Sequence, residues 1–122
     1  MAVIAPFRGI RFSKEKVKDL AEVVTPPYDV IDASAQDNYY EKHPNNIIRL
    51  EYGKIYPDDN EENNRYKRAA ADFQAWLTDS VLVREDKPAF YFYEQIYTVD
   101  SEKKTRSGLI CLLRLEEYEN NV

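Results

Sequence analysis

The stretch "PAFYFYEQIYTVDSEKKTRSGLICLLRLEEY", residues 88–118, decides the fold class. Its first part, 88–99, is rich in aromatic and β-branched residues with period-2 spacing, the pattern of a strand. Tyr91, Tyr93 and Tyr97 fall on one face, and Phe90, Phe92 and Ile96 on the other. Aromatics on both faces point to a strand covered on both sides. "DSEKK" (100–104) reads as a polar loop, and 105–118 returns as an antiparallel partner.

Helical patterns precede this hairpin. Residues 60–79 carry Tyr66, Ala69, Ala70, Phe73, Trp76 and Leu77 on one stripe, with Asp59 and Glu62 as the capping pair; Lys67, Arg68 and Asp72 fall outside. Ser34 and Asp37 start another helix, which His43-Pro44 stops. Ser13 is placed to cap a helix through Val17, Leu20, Ala21 and Val24, ended by Pro26. "NIIRLEY" (46–52) alternates as a strand, and "AVIAPFRGIRF" (2–12) as a broken edge strand. The expected class is α+β: a mixed, largely antiparallel sheet with a C-terminal β-hairpin and about three helices.

Composition narrows the function. The 122 residues are expected to form a single α+β domain, 1–122. Seventeen basic and 22 acidic side chains give a net charge of −5, which argues against nucleic-acid binding. The charge is uneven: residues 1–25 hold five basic and three acidic side chains, and 32–64 hold eight acidic and three basic ones. No signal peptide and no apolar run of spanning length is present, so a cytoplasmic protein without membrane association is expected. Three glycines exclude a glycine-rich phosphate loop. One cysteine, Cys111, and one histidine, His43, cannot build a zinc site, and no metal ligand set or cofactor motif is recognisable. Cys111 reads as a core thiol and His43 as a helix-end residue.

Several polar residues stand out. Arg8 flanks Gly9 in "PFRGIRF", where a guanidinium and backbone N–H groups can meet an anion. Tyr28 and Asp29 follow Pro26-Pro27, which stiffen the loop and lower its ordering cost. Glu94 lies in the aromatic strand, with Arg106 on the neighbouring strand as the expected partner of a structural ion pair. Arg49 and Glu51 share a face of "NIIRLEY".

"APFRGIRF", "VVTPPYDVI", "HPNNIIRLEYG", "RYKRAAADFQAWL", "PAFYFYEQIYTV" and "TRSGLICLLRLEEY" occur here in order. In this combination the chain resembles the bacterial and archaeal family called domain of unknown function 1015, from Ala5 to Tyr118. The resemblance implies a cytoplasmic microbial protein and an N-terminal portion of a longer one. It draws attention to Arg8, Tyr28, Asp29, Asn46, Arg49, Glu51, Tyr66, Glu94 and Arg106. Ser80 departs from it, standing where a glycine is usual after the long helix.

The resulting expectation is an N-terminal module of unknown biochemical function. Its candidate ligand-binding residues are Arg8, Tyr28, Asp29, Asn46 and Arg49, lining a polar pocket for a small anion such as phosphate or carboxylate. The alternatives are a share of a phosphoryl-transfer or nucleotide-dependent enzyme, and a purely structural or interaction domain. An exposed strand edge at 105–115 leads to an expectation of self-association.

Overall fold

The computed structural model describes residues 2–117. In chain order the elements are β1 (Ile4–Ala5), β2 (Ile10–Phe12), two 3₁₀ turns (Leu20–Glu22 and Tyr28–Val30), α1 (Ala33–Lys42), α2 (Ile48–Glu51), α3 (Arg65–Thr78), β3 (Leu82–Arg84), β4 (Tyr91–Val99), β5 (Glu102–Ile110) and β6 (Leu112–Leu113). Three helices and antiparallel strand pairs make the α+β class plain. The strands form two-stranded sheets β1–β6, β2–β3 and β4–β5, where a single mixed sheet was expected. Contacts group the chain into two units: Arg11–Val83, and Met1–Ile10 with Arg84–Val122.

In the second of these units, β4 and β5 pair over their whole length, from Tyr91↔Ile110 to Val99↔Glu102. The expected five-residue loop shrinks to a two-residue turn. Asp100 and Ser101 both have positive φ, 49° and 65°, the sign a type I′ turn requires, and its twist matches that of the strands. Tyr93 packs its ring over Gly108, leaving no space there for a Cβ. The aromatic strand is not covered on both faces among the described residues: Phe92 is 73% exposed. The return strand is interrupted after Ile110, and β6 pairs with β1 (Ile4↔Leu113). Phe7 and Ala89 exchange backbone hydrogen bonds of 3.1 and 3.0 Å.

The 11–83 unit is built on a core of Val17, Val23, Ile31, Ile48, Trp76, Val81 and Leu82. α3 is capped by Asn64, whose side-chain oxygen accepts from the N–H groups of Tyr66 and Lys67; the expected cap, Asp59, binds Arg68 instead. Its stripe is also rotated from expectation. Tyr66 is 77% exposed and Arg68 is half-buried. α1 is capped by Asp32 through Ala35 N–H, two residues before the expected Ser34.

Two short segments depart from their patterns. The expected helix after Ser13 is a turn followed by the 3₁₀ turn at Leu20–Glu22. Ser13 Oγ accepts from Glu15 N–H and Asp19 Oδ1 from Ala21 N–H. Such side chains compete with the helix for local backbone groups. The expected strand 46–52 contains α2, because Asn46 Oδ1 accepts from Ile48 N–H and starts a turn.

α3 ends in a left-handed residue, Ser80, with φ 57°. Val81 N–H donates to Trp76 O (2.9 Å) and Ser80 N–H to Leu77 O (3.2 Å), the paired bonds of a Schellman cap. The left-handed cap thus forms with serine as it would with glycine. A Cβ in this region costs about 1 kcal/mol or more. Ser80→Gly is therefore expected to raise the unfolding free energy by up to about 1 kcal/mol, read as a higher midpoint in urea at unchanged m. A lower midpoint would contradict this account of the cap.

Candidate functional site

The two prolines lead directly into the site. Pro27, at φ −54° and ψ 145°, ends an extended approach, and the chain then closes the 3₁₀ turn Tyr28–Val30. Tyr28 projects from that turn, with its ring 6.1 Å from the Tyr52 ring. Tyr52 is fixed from behind by Gln36 Nε2, which donates to its carbonyl (2.8 Å). Tyr40 braces the same region. Its hydroxyl accepts from Lys54 N–H (3.0 Å), and the Arg49 guanidinium and Lys54 ammonium lie 4.5 and 4.8 Å from its ring centroid.

A cleft of about 290 Å³ opens beside these residues. Tyr28, Leu50, Glu51, Tyr52 and Gly53 line it, together with Arg65, Tyr66 and Ala69 of α3. Its centre of charge is Arg65. The guanidinium lies 4.9 Å from the Tyr52 ring centroid and 5.8 Å from that of Tyr66. It makes no hydrogen bond or ion pair among the described residues. The two rings lie within cation–π distance of the guanidinium, and its N–H donors are not used by other described residues. Glu51, exposed, is the one carboxylate in the lining. An adjoining cleft of about 460 Å³ shares Arg65 and Tyr66 and is lined further by Ile55, Asp59, Asn60, Glu61 and Asn64.

The acidic loop before α3 is tied down by the second arginine. Arg68 donates to both oxygens of Asp59 (2.7 and 2.9 Å), to Asn63 Oδ1 and to Lys54 O. This bidentate bond is the main reason that the Asp59 carboxyl titrates below its ordinary value and Arg68 above its own. Lys54 titrates above its ordinary value, chiefly through its hydrogen bond to Asp37.

The residues singled out in the sequence fall in different places. Tyr28, Glu51 and Tyr66 meet at the cleft. Asp29 follows Tyr28 on the same turn, exposed and without a side-chain hydrogen bond among the described residues. Asn46 is completely buried and cannot line a pocket; its Nδ2 donates to Glu22 O (2.8 Å) and its Oδ1 accepts from Ile48 N–H. Arg49 donates to Tyr40 O and His43 O (both 2.9 Å), satisfying carbonyls at the end of α1. His43 accepts from Asn45 N–H through Nδ1. Arg8 belongs to the other unit, where its Nε donates to Glu85 O (2.7 Å). Next to it, Gly9 N–H donates to Tyr91 Oη (2.7 Å), and a Cβ on Gly9 would strike the Tyr91 ring.

The expected Glu94–Arg106 ion pair is not formed. The two-residue turn sets a register that pairs Glu94 with Ser107 and Arg106 with Gln95. Side chains alternate along a strand, so Glu94 and Arg106 lie on opposite faces of the hairpin. Both are exposed, and neither is a buried charge in need of a partner. Among the described residues no group of three or more His, Cys, Asp or Glu could hold a metal ion, and no helix is long and apolar enough to cross a membrane.

Tyr52 and Arg65 escaped the sequence reading. Arg65 had a physical signal: it is the first residue of α3, where the helix dipole disfavours a cation. A cation at that end calls for a local reason, which the tyrosine rings supply.

Fold and cleft together describe an α+β protein with a tyrosine-walled cleft around Arg65, whose guanidinium makes no hydrogen bond or ion pair among the described residues and whose charge helps to lower the Asp59 titration. The family model described as "Protein of unknown function (DUF1015)" matches residues 4–122, and the chain belongs to that family. Comparison with curated proteins and with solved structures found no match.

Proposed function

We propose that the chain is a binding module for a small anionic ligand, held in the cleft of Tyr28, Glu51, Tyr52, Arg65 and Tyr66. One observation carries the reading: the Arg65 guanidinium lies over the Tyr52 and Tyr66 rings, yet makes no hydrogen bond or ion pair among the described residues. A carboxylate or phosphate is the acceptor that this planar fork suits best. The surrounding rings favour a ligand that also presents a flat or apolar part, and Glu51 offers an acceptor for its hydroxyl or amino groups. A nucleoside monophosphate has all three features. In this arrangement Asn46 and Arg49 hold the backbone that carries Glu51 and Tyr52, and Tyr28 is the ligand-facing member of the proline-stiffened turn. A cytoplasmic setting agrees with the single cysteine.

Isothermal titration with inorganic phosphate, AMP and adenosine tests this. AMP is expected to bind more tightly than phosphate or adenosine alone. Arg65→Ala should weaken AMP binding by about tenfold or more, the worth of a charge-assisted hydrogen bond. Arg65→Lys should recover only part of it, because lysine lacks the fork. Equal affinity of wild type and Arg65→Ala would remove the site.

A further inference from the structure

The 11–83 unit has another cleft, of about 420 Å³, that shares no residue with the one around Arg65. Arg11, Phe12, Lys14, Val17, Lys18 and Leu20 line it. Its volume lies in the range of small-molecule sites.

Two features of this lining belong together. The first is charge sorting. Residues 11–22 contain four cations (Arg11, Lys14, Lys16, Lys18) and three acids (Glu15, Asp19, Glu22), yet the cleft takes three of the cations and none of the acids. Asp19 is turned to the backbone, where it accepts from Ala21 N–H (2.9 Å). Lys14 and Lys18 make no hydrogen bond or ion pair among the described residues.

The second is an apolar floor among those cations. Val17 is buried, and its N–H donates to Ser13 O (2.9 Å), while Ser13 N–H donates to Val81 O (2.8 Å). The Phe12 ring lies 6.2 Å from that of Trp76. Floor and wall are thus anchored to the core, and Leu20, 56% exposed, leaves its apolar side chain at the cleft. A solvated lysine face needs no open apolar floor. Conversely, an apolar groove alone gives no reason for the lining to take three cations and no acid.

We propose that this cleft binds an anionic amphiphile, specifically a medium-chain acyl carboxylate. The carboxylate meets Lys14 and Lys18, and the acyl chain covers Phe12, Val17 and Leu20. Charge complementarity sets the head, and burial of the chain against the floor supplies affinity.

The chain itself reports on this site. Trp76 is its only tryptophan, and Phe12, whose ring lies 6.2 Å from it, lines the cleft. Decanoate, decanol and acetate are titrated into the full chain below micelle-forming concentrations while Trp76 emission is followed. Decanoate is expected to give a saturable change at least about fivefold tighter than decanol, the scale of exposed ion pairs with two lysines. Acetate should give none.

The double variant Lys14→Ala/Lys18→Ala should lose that preference for decanoate, with an unchanged far-ultraviolet dichroism spectrum because both side chains are exposed. Leu20→Asp, also at an exposed position, should weaken decanoate and decanol alike. Absence of a saturable decanoate change, equal binding of decanol, or wild-type affinity in the double variant would each overturn the proposal. So would binding of anionic phosphatidylglycerol vesicles without binding of monomeric decanoate, since that would make the patch a membrane surface.

Discussion

Replacing Trp76 by alanine is expected to lower the unfolding free energy by about 3–5 kcal/mol, the usual cost of removing a buried indole. Trp76 is 5% exposed and lies in the same core as Val17, Val23, Ile48 and Val81. It stands in the last turn of α3, and its carbonyl accepts the Val81 N–H that closes the helix cap. The substitution therefore opens a cavity where α3, its cap and the Phe12 ring come together. A domain of this size has roughly 5–15 kcal/mol to lose. Urea unfolding should show a midpoint shift at little-changed m, and Trp76→Phe should recover much of the loss. A loss below about 1 kcal/mol for the alanine variant would mean that the indole is not a core group.

Asn46→Ala is expected to cost roughly 2–4 kcal/mol, because it strands two backbone groups and leaves a small void. Asn46 is 0% exposed; its amide bridges Glu22 O at 2.8 Å and Ile48 N–H at 3.0 Å. Ile48 is itself fully buried, so its N–H has no route to water once the amide is removed. Asn46→Asp should also destabilise at neutral pH. It keeps the acceptor for Ile48 N–H, loses the donor to Glu22 O, and places a charge in the core. The measurement also separates scaffold from ligand contact. In the folded fraction of Asn46→Ala, affinity for AMP should match wild type, whereas Arg65→Ala should leave stability nearly unchanged and reduce affinity. Reversed results would return Asn46 to the binding surface and Arg65 to the scaffold.

The long elements were legible because their patterns are long. α3, over Arg65–Thr78, repeats its apolar spacing through several turns, whereas α1, over Ala33–Lys42, was marked by its start and stop residues. The β4–β5 hairpin has nine-residue strands, and alternation over that length excludes a helix. Short segments were not legible. Residues 46–52 alternate as a strand should, but α2 needs only one side-chain cap and a few tertiary bonds to prevail. Over so few residues intrinsic preferences amount to about 1 kcal/mol or less, which one buried hydrogen bond outweighs.

The site divides in the same way. Sequence alone marked Tyr28 as a residue that follows two prolines, and in the structure it opens a 3₁₀ turn directly after them. It could not distinguish Arg49 from Arg65. In the structure both lie against tyrosine rings, yet Arg49 donates to two helix-end carbonyls and the Arg65 guanidinium to none among the described residues. Which of the two keeps its donors available depends on where α1 ends relative to α2, a relation between segments. The hairpin shows the same limit. Composition put Glu94 and Arg106 on paired strands, but the two-residue turn set the register, and one residue of register reverses a face. The sequence by itself thus determined the α+β class, the long helices and the hairpin, since each rests on a period or on start and stop residues within one segment. Only the tertiary structure decided which polar side chains serve the scaffold and which face a cleft, since that depends on backbone groups brought together from distant parts of the chain.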